Sequence, residues 1–398
     1  MFRSERVSAI LLVVAAVAGL VLANSPLGPT LDGAKHFLIQ LPLPAPIPAL
    51  SLSVGHLITD GLLAVFFFIA AIELRHELTH GELDSPRKAL LPALAALGGV
   101  LLPAALYLLL ARGAELSVGW PIPTATDIAF ALGILSLVGR SLPTRVRALL
   151  LALAVLDDLI AIAIIAFFFT ATLNPAPLIF AVPVVVIFAL LSRIALPRAL
   201  AVVALSLLGF TAWVLVFLSG VHPTIAGVAL GLVMGHRTAA AARHAIEPFS
   251  NSLILPLFAF AAALVLLPSV SLFALSPAFW AIIVALPVGK LIGIVGGGLL
   301  GRALTDRPSR TNRRAPSGGQ SETVRLPLGD LLVIASLGGI GFTVSLLMNE
   351  LAFAGRTELA AEGTLAVILG STIAAVTGII ITAHRARHYA RLSAARVS

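Results

Sequence analysis

Long runs of apolar residues, separated by short polar segments, recur along the whole chain. A membrane-spanning helix needs about 20 mostly apolar residues, and this pattern predicts twelve such segments. They lie at residues 7–24, 53–74, 89–111, 119–139, 148–169, 176–192, 199–217, 220–235, 250–268, 278–301, 328–349 and 362–383. The first segment follows two arginines and also fits a signal peptide ending near Val21-Leu22-Ala23, although its length favours a membrane span.

Composition agrees with a membrane protein rather than a soluble one. Hydrophobic residues make up 59% of the 398 residues and charged residues 11%, whereas soluble domains are about half apolar and about a quarter charged. The chain has no cysteine, which excludes disulfides, thiol catalysis and cysteine metal sites. The net charge of +8 comes from basic residues in short loops rather than from one basic face. We therefore expect no nucleic-acid partner and no cofactor.

Lysines and arginines are concentrated on one side of the predicted bundle. Loops opposite the N-terminus hold only Lys35, Arg112 and Arg356, and Lys290 lies within a span, so the other 22 of the 26 lie on the side of the N-terminus. Under the positive-inside rule, this asymmetry predicts twelve spans with both termini in the cytoplasm.

The predicted organisation is one polytopic membrane domain covering residues 1–398. Residues 25–52 are rich in proline and predict an ordered or strand-containing periplasmic loop. Residues 302–327 are rich in Arg, Ser and Gly, which is typical of a flexible cytoplasmic loop.

Four ionisable residues, Asp127, Asp157, Asp158 and Lys290, lie in the middle of predicted spans. Each unpaired charge at a helix centre costs about 2.5–3.5 kcal/mol, so pairing, protonation, water or a bound cation must offset the cost. A structural ion pair would account for one aspartate and Lys290, but it leaves two carboxylates unexplained. Because intramembrane ionisable groups are functional sites by default, we interpret these residues as a cation and proton site.

Asp157 and Asp158 are neighbours on one predicted helix, so their side chains point about 100° apart. One carboxylate can then face an ion cavity while the other meets a partner helix. Two carboxylates so close together cannot both ionise cheaply away from water. Such a site holds protons or a hard cation such as Na+, but not both at once. This competition is the chemical basis of cation/proton exchange.

Lys290 is one of three lysines in a chain with 23 arginines. A buried ammonium can lose its proton, whereas a guanidinium cannot. Lysine at the one membrane-buried basic position therefore suits a titrating partner for a carboxylate. The structural alternative, a side chain that reaches toward the membrane surface, fits poorly because Lys290 lies near the middle of its span.

Two predicted spans contain sequences that interrupt a helix. In the fourth span, Pro121 and Pro123 remove backbone donors shortly before Asp127, and in the eleventh, Gly339 and Gly341 flank one isoleucine. The interruptions lie in the middle spans of two triads with opposite topology. This arrangement predicts an inverted repeat with half-helix ends at mid-membrane. Packing glycines and an ordinary proline kink are the alternative.

Several motifs, taken in order along nearly the whole chain, resemble NhaA-type sodium/proton antiporters. They are Ala64-Val-Phe-Phe-Phe-Ile69, Glu73-Leu-Arg-His-Glu77, Ala125-Thr-Asp-Ile-Ala-Phe-Ala-Leu-Gly133, Leu153-Ala-Val-Leu-Asp-Asp-Leu159, Ser219-Gly-Val-His-Pro-Thr-Ile-Ala-Gly227, Leu255-Pro-Leu-Phe-Ala-Phe260, Gly289-Lys290 and Gly339-Ile-Gly-Phe-Thr343. The resemblance implies an all-α fold of twelve transmembrane helices, with inverted-topology repeats and discontinuous helices 4 and 11. It also implies an electrogenic exchange of Na+ or Li+ for H+ across the bacterial inner membrane, serving pH and sodium homeostasis.

The resemblance assigns roles to the intramembrane residues. Asp158, with Asp157, would carry the transported Na+ and the protons, and Lys290 would pair with Asp157 when no ion is bound. Asp127 and Thr126 would lie where the two interrupted helices cross, compensating the dipoles of the facing half-helices.

Other matched positions lie toward the ends of the predicted spans. Glu73 and Glu77 match residues at the cytoplasmic mouth that influence the pH response. His222 matches a histidine linked to pH behaviour, and its structural alternative is a loop-end histidine before a proline. Asp60 matches an acidic position of the family, or it simply caps a span near the outer surface.

Three positions depart from the family pattern. Arg243 occupies a place where the family often has an acidic residue, Glu247 stands where a histidine can occur, and Ala262 stands where asparagine is frequent. These departures affect the expected pH profile rather than ion exchange, because the carboxylate core is intact.

Two other functions fit parts of the sequence. A sodium-coupled symporter of an organic anion could share the fold, but its pocket would need more Asn, Gln and Ser between spans 4 and 11. Gly329-Asp330 suggests an intramembrane aspartyl protease, but the only tyrosines are Tyr107 and Tyr389, so we expect no Tyr-Asp partner and no enzyme. The expected partners are the transported ions, membrane lipid and a second copy in a homodimer.

Overall fold

Helices make up most of the chain, because a helix satisfies its own backbone hydrogen bonds where no water is present. The computed structural model describes residues 5–41, 50–81, 83–170, 173–267, 275–305 and 326–397. The helices, labelled in chain order, are α1 (Glu5–Ala23), α2 (Gly28–His36), α3 (Val54–His80), α4 (Pro86–Leu110), α5 (Ile128–Val138), α6 (Thr144–Phe168), α7 (Pro175–Leu191), α8 (Arg198–Leu218), α9 (Thr224–Val233), α10 (His236–Ala262), α11 (Pro277–Leu304), α12 (Leu328–Gly338), α13 (Phe342–Ala352) and α14 (Thr357–Val397).

Shorter elements complete the described chain. Strands β1 (Leu38–Leu41) and β2 (Leu50–Ser53) pair antiparallel in the predicted outer loop. A helical turn at Ala114–Ser117 and a 3-10 turn at Ile122–Thr124 precede α5. The helix α2, which lies in the same outer loop as the strands, was not predicted.

Seven of the described helices are long and apolar enough to cross a membrane, or up to ten when each of three bent pairs counts as one span. The bent pairs are α1 with α2 at 110°, the segment Ala114–Thr124 with α5 at 41°, and α12 with α13 at 45°. The apolar helices α7 and α9 are shorter. Each predicted segment overlaps one of these helices or pairs. The coarse prediction of an all-α, multi-pass membrane protein is confirmed.

Several helix ends differ from the prediction. Helix α10 begins at His236 rather than near residue 250, because its first turns are amphipathic and continue the helix beyond the apolar run. The C-terminal part of α11 belongs to a helical segment, Lys290–Thr305, that ends inside the predicted loop 302–327. The rest of that loop up to residue 325, and residues 42–49 of the outer loop, lie outside the described residues.

Helices α4 and α11 approach each other closely along a seam of glycines. A Cβ on Gly293 would lie 2.1 Å from the carbonyl oxygen of Gly98, and one on Gly98 would lie 2.1 Å from the oxygen of Gly293. Glycine recurs at every fourth position of α11, which puts these residues on one face; they are Gly289, Gly293, Gly297 and Gly301. Small residues at this spacing let membrane helices pack backbone to backbone. The seam fixes the position of Lys290, which directly follows Gly289.

A large apolar core surrounds α5, α6, α11, α12, α13 and α14, and smaller apolar clusters join α3 to α7, α8 and α9. Leu12 and Ala16 of α1 are fully buried in the large core. The first predicted segment is therefore part of the helix bundle. Within it, α6, α11 and the two interrupted helices enclose the intramembrane charges.

Candidate functional site

The two interrupted helices cross where each of them is broken. The Thr126 hydroxyl donates a hydrogen bond to the Gly338 carbonyl at 2.7 Å, and the Asp127 amide donates to the Ile340 carbonyl at 2.6 Å. The break between α12 and α13 contains Gly339 and ends at Gly341. Polar backbone groups freed by each interruption are thus satisfied by the other chain segment, as buried backbone requires.

Glycine is required at this crossing. A Cβ on Gly341 would lie 2.2 Å from the Ser345 hydroxyl and 2.9 Å from the Ala125 carbonyl oxygen. The break therefore depends on the absence of a side chain as well as on the interrupted helix itself.

Asp127 caps two helices at once. Its Oδ1 accepts a hydrogen bond from the Phe130 amide at 2.9 Å, at the N-terminus of α5. Its Oδ2 accepts from the Thr343 amide at 3.2 Å and the Thr343 hydroxyl at 2.7 Å, at the N-terminus of α13. The N-terminus of a helix carries a partial positive charge that a carboxylate offsets. Asp127 is 2% exposed, so it is held in this position by three donors.

Lys290 joins the crossing to α6. Its Nζ forms a salt bridge with Asp157 Oδ2 and donates a hydrogen bond to the Thr126 hydroxyl at 2.6 Å. Both charged side chains are almost completely inaccessible to solvent. Lys290 follows a π-helical turn of α11 at Ala285–Gly289, and such turns are frequent at functional sites. Lys290, Asp157 and Thr126 therefore form one buried polar group.

Asp158 is buried beside this group without a complete set of partners. It is 4% exposed, and its Oδ1 makes no hydrogen bond within the described structure; the same is true of Asp157 Oδ1. A buried carboxylate oxygen without a partner is costly. The two free oxygens are suited to bind protons or a hard cation, which prefers oxygen ligands.

Glu73 and Glu77 lie near the C-terminal end of α3, away from the crossing. Glu73 Oε1 lies 3.0 Å from Arg243 Nη2 on α10, and the same arginine contacts Glu247. An open cavity of about 380 Å³ lies here. The structure thus brings Arg243 and Glu247, the two charged departures from the family pattern, together with Glu73.

His222 lies in the loop before α9, beside Asp60 of α3. Its Nε2 is 3.4 Å from Asp60 Oδ1 in α3, and its Nδ1 is 2.8 Å from the Thr224 hydroxyl. Asp60 lies within a π-helical turn, Leu57–Leu62, rather than capping a helix end.

Thr343 and Ser371 are polar residues of the crossing to which the sequence analysis assigned no role. Thr343 binds Asp127, and the Ser371 hydroxyl accepts a hydrogen bond from the Phe342 amide. Thr343 closes the motif Gly339-Ile-Gly-Phe-Thr343, and a hydroxyl two residues after a glycine-rich break is a signal that could have indicated its role. The sequence has no comparable signal for Ser371, which is contributed by α14.

Asp330, the residue behind the protease alternative, has a tyrosine as a hydrogen-bond partner but no Tyr-Asp dipeptide to act with it. The Tyr389 hydroxyl donates to Asp330 Oδ2 at 2.9 Å, while Arg385 Nε lies 2.8 Å from Oδ1 and Arg145 Nη2 lies 3.1 Å from Oδ2. The tyrosine comes from α14 rather than from a neighbouring Tyr-Asp dipeptide. Two guanidinium groups and a hydroxyl occupy both oxygens of this fully buried carboxylate. The cluster ties α6, α12 and α14 together.

The bundle and its cluster of buried ionisable side chains define a multi-pass membrane protein of the transporter class. Comparison with known proteins gives the family: residues 1–382 match the family described as Na+/H+ antiporter 1, and the chain belongs to it. A Na(+)/H(+) antiporter NhaA 2 from Clavibacter michiganensis subsp. michiganensis is 52% identical, covering 99% of this chain and 94% of the relative. A Na(+)/H(+) antiporter NhaA from Tropheryma whipplei is 44% identical over 95% of this chain and 94% of that protein. A Na(+)/H(+) antiporter NhaA 3 from Streptomyces coelicolor is 43% identical over 97% and 80%.

Proposed function

We propose that this chain exports sodium across a bacterial inner membrane in exchange for protons, and that Asp157 and Asp158 form the shared binding site. Family membership gives the reaction. One observation carries the assignment of the site: both carboxylates are buried, and each retains an oxygen without a hydrogen-bond partner. A group in this state gains by binding either a proton or a cation. Each ion therefore displaces the other.

The mechanism follows from this competition. Sodium enters from the cytoplasm past Glu73 and Glu77 and displaces protons from Asp158 and from the Asp157–Lys290 pair. The loaded protein then rocks one helix bundle against the other, which opens the site outward. Sodium leaves, protons rebind from outside, and the proton gradient drives the cycle. Asp127 holds the facing half-helix ends in place throughout.

Exchange is electrogenic in this proposal, with more than one proton moved per sodium, and Li+ substitutes for Na+. Two features support it: there are two carboxylates with free oxygens, and a lysine that can itself release a proton. Because the exchange exports sodium and imports protons, it serves pH and sodium homeostasis.

Replacing Lys290 with alanine should change the charge moved per cycle. Without the ammonium, one proton-binding group is lost, so exchange in Lys290→Ala should become less dependent on the membrane potential. Lys290→Arg is the matched control, because it keeps the positive charge beside Asp157 but cannot release a proton. The measurement is the sodium-dependent exchange rate in proteoliposomes with and without an imposed potential. An unchanged dependence on the potential in Lys290→Ala would contradict the role.

We further propose that the chain forms one domain of twelve spans over residues 1–398, with both termini in the cytoplasm. The seven spans, three bent pairs and two shorter apolar helices supply the segments, and the distribution of lysines and arginines supports the orientation. The crossing of two interrupted helices supports inverted repeats. The outer loop 25–52 is periplasmic, membrane lipid surrounds the bundle, and the family resemblance supports a homodimer.

Neither of the two other functions, the organic-anion symporter and the intramembrane aspartyl protease, is supported. The relatives described above are named as sodium/proton antiporters rather than symporters of an organic anion. The protease alternative rested on Asp330, whose oxygens are bound by two arginines and a tyrosine.

An assay in everted membrane vesicles tests the function directly. Respiration acidifies the vesicle interior, sodium is added outside, and a pH-sensitive dye reports whether protons leave. Sodium or lithium should release protons, whereas choline at the same concentration should not. Sodium uptake without proton release, or dependence on an added organic anion, would contradict the proposal.

A further inference from the structure

Arg243 of α10 holds two carboxylates at one end of the bundle. Its Nη2 lies 3.0 Å from Glu73 Oε1 on α3, and its Nε lies 3.2 Å from Glu247 Oε2, one turn further along α10. A guanidinium group does not lose its proton in proteins. The positive charge therefore stays beside Glu73 at every physiological pH, and only movement of the arginine can remove it.

Glu73 lies on the part of α3 that packs against α6, the helix of Asp157 and Asp158. The next residue, Leu74, packs in one apolar cluster with Val155 of α6, and Asp158 follows one turn after Val155. On the proposed entry path past Glu73, a cation therefore meets a carboxylate that Arg243 already contacts.

The arginine has room to leave this carboxylate. Its side chain is 32% exposed, whereas that of Glu73 is 16% exposed. Arg243 and Glu247 both line the open cavity of about 380 Å³. Because the long side chain of arginine is flexible and Glu247 offers a second contact, the guanidinium can move toward the cavity without losing every ionic partner.

From this geometry we propose that Arg243 is a resident competitor for sodium at the cytoplasmic mouth, and therefore a residue that sets the apparent affinity for sodium. The inference rests on the proposed function and deepens it. Without sodium, the guanidinium neutralises Glu73. Entering sodium binds Glu73 only as Arg243 moves away, so more sodium is needed for half-maximal exchange from this side. The later steps at Asp157 and Asp158 are unchanged.

The kinetics of Arg243→Gln test this competition. In everted vesicles, where added sodium meets the cytoplasmic face, the KM for sodium should fall about two- to five-fold, the scale expected for a partly exposed ion pair. The maximal rate should stay the same. Arg237→Gln is the matched control, because Arg237 is an exposed arginine on the same helix, and its KM should not change. Arg243→Lys keeps the charge and should stay close to the unchanged protein.

Three further measurements separate competition from a general structural effect. In a Glu73→Gln background, Arg243→Gln should no longer lower the KM, because the contested carboxylate is gone. In right-side-out vesicles, where sodium meets the outer face, Arg243→Gln should leave the KM unchanged. The difference between Arg243→Gln and the unchanged protein should also shrink at high choline chloride concentration, because salt screens exposed charges.

The outcomes distinguish this inference from the proposed function. If the unchanged protein releases no protons on sodium addition, the proposed function fails and the competitor role fails with it. If it does release protons, but Arg243→Gln keeps or raises the KM, the competitor role alone is overturned. It is also overturned if the fall in KM persists without Glu73 or is the same from the outer face.

Discussion

Replacing Asp158 with asparagine is expected to abolish sodium/proton exchange while the protein still inserts and folds. Asparagine has nearly the same shape as aspartate, but it neither releases a proton nor offers a negative charge to sodium. Asp158 is buried and its Oδ1 has no hydrogen-bond partner, so the substitution breaks no contact at that oxygen. Exchange in everted vesicles should fall by at least about 100-fold, the scale for loss of an essential proton-transfer group.

The control for Asp158→Asn is the same change at an ordinary carboxylate. Asp84 lies in the loop before α4 and pairs with Lys88 at 3.0 Å on the protein surface, so Asp84→Asn should leave the rate unchanged. Equal amounts of each variant in the membrane, with equal melting temperatures after purification, would show that folding is intact. Exchange by Asp158→Asn at a rate near that of the unchanged protein would refute the assigned site.

The identity of the buried charges could be predicted from the sequence, because lipid makes an intramembrane charge conspicuous. Four charged residues interrupt otherwise apolar runs: Asp127, Asp157, Asp158 and Lys290. Placing each charge within the membrane costs free energy that pairing, protonation or a bound ion must offset. Their pairing could not be derived in this way. Adjacent aspartates point about 100° apart, so which one meets Lys290 depends on how α6 and α11 are rotated against each other. The expectation that Asp157 is that partner came from the family resemblance.

Other features depend on contacts between distant parts of the chain. Arg243 was recognised as a departure from the family pattern, but its contact with Glu73 requires α3 and α10 to be neighbours. Asp330 gains its tyrosine from α14, so a search for adjacent Tyr and Asp could not find it. The π-helical turns before Lys290 and around Asp60 leave the apolar pattern almost unchanged. Such features follow from packing rather than from local sequence preference.

The glycine seam between α4 and α11, with glycine at every fourth position of α11, gives the prediction with the largest expected loss of stability. Gly293→Leu should destabilise the protein by at least about 3 kcal/mol, because overpacking a filled contact forces backbone shifts. A Cβ at this position would already lie 2.1 Å from the Gly98 carbonyl oxygen, and that backbone atom cannot move aside alone. Helices α4 and α11 would have to separate, which would also displace Lys290 from the carboxylates.

Gly296→Leu provides the matched control for Gly293→Leu. Gly296 lies on the same helix, is exposed, and has open space where its Cβ would be. Leucine there should face lipid and strengthen the helix, since glycine within a helix costs roughly 0.5–1 kcal/mol relative to alanine. Thermal unfolding of the purified proteins should therefore shift in opposite directions, with exchange lost only in Gly293→Leu. Equal melting temperatures for the two variants would show that the close contact between α4 and α11 does not stabilise the fold.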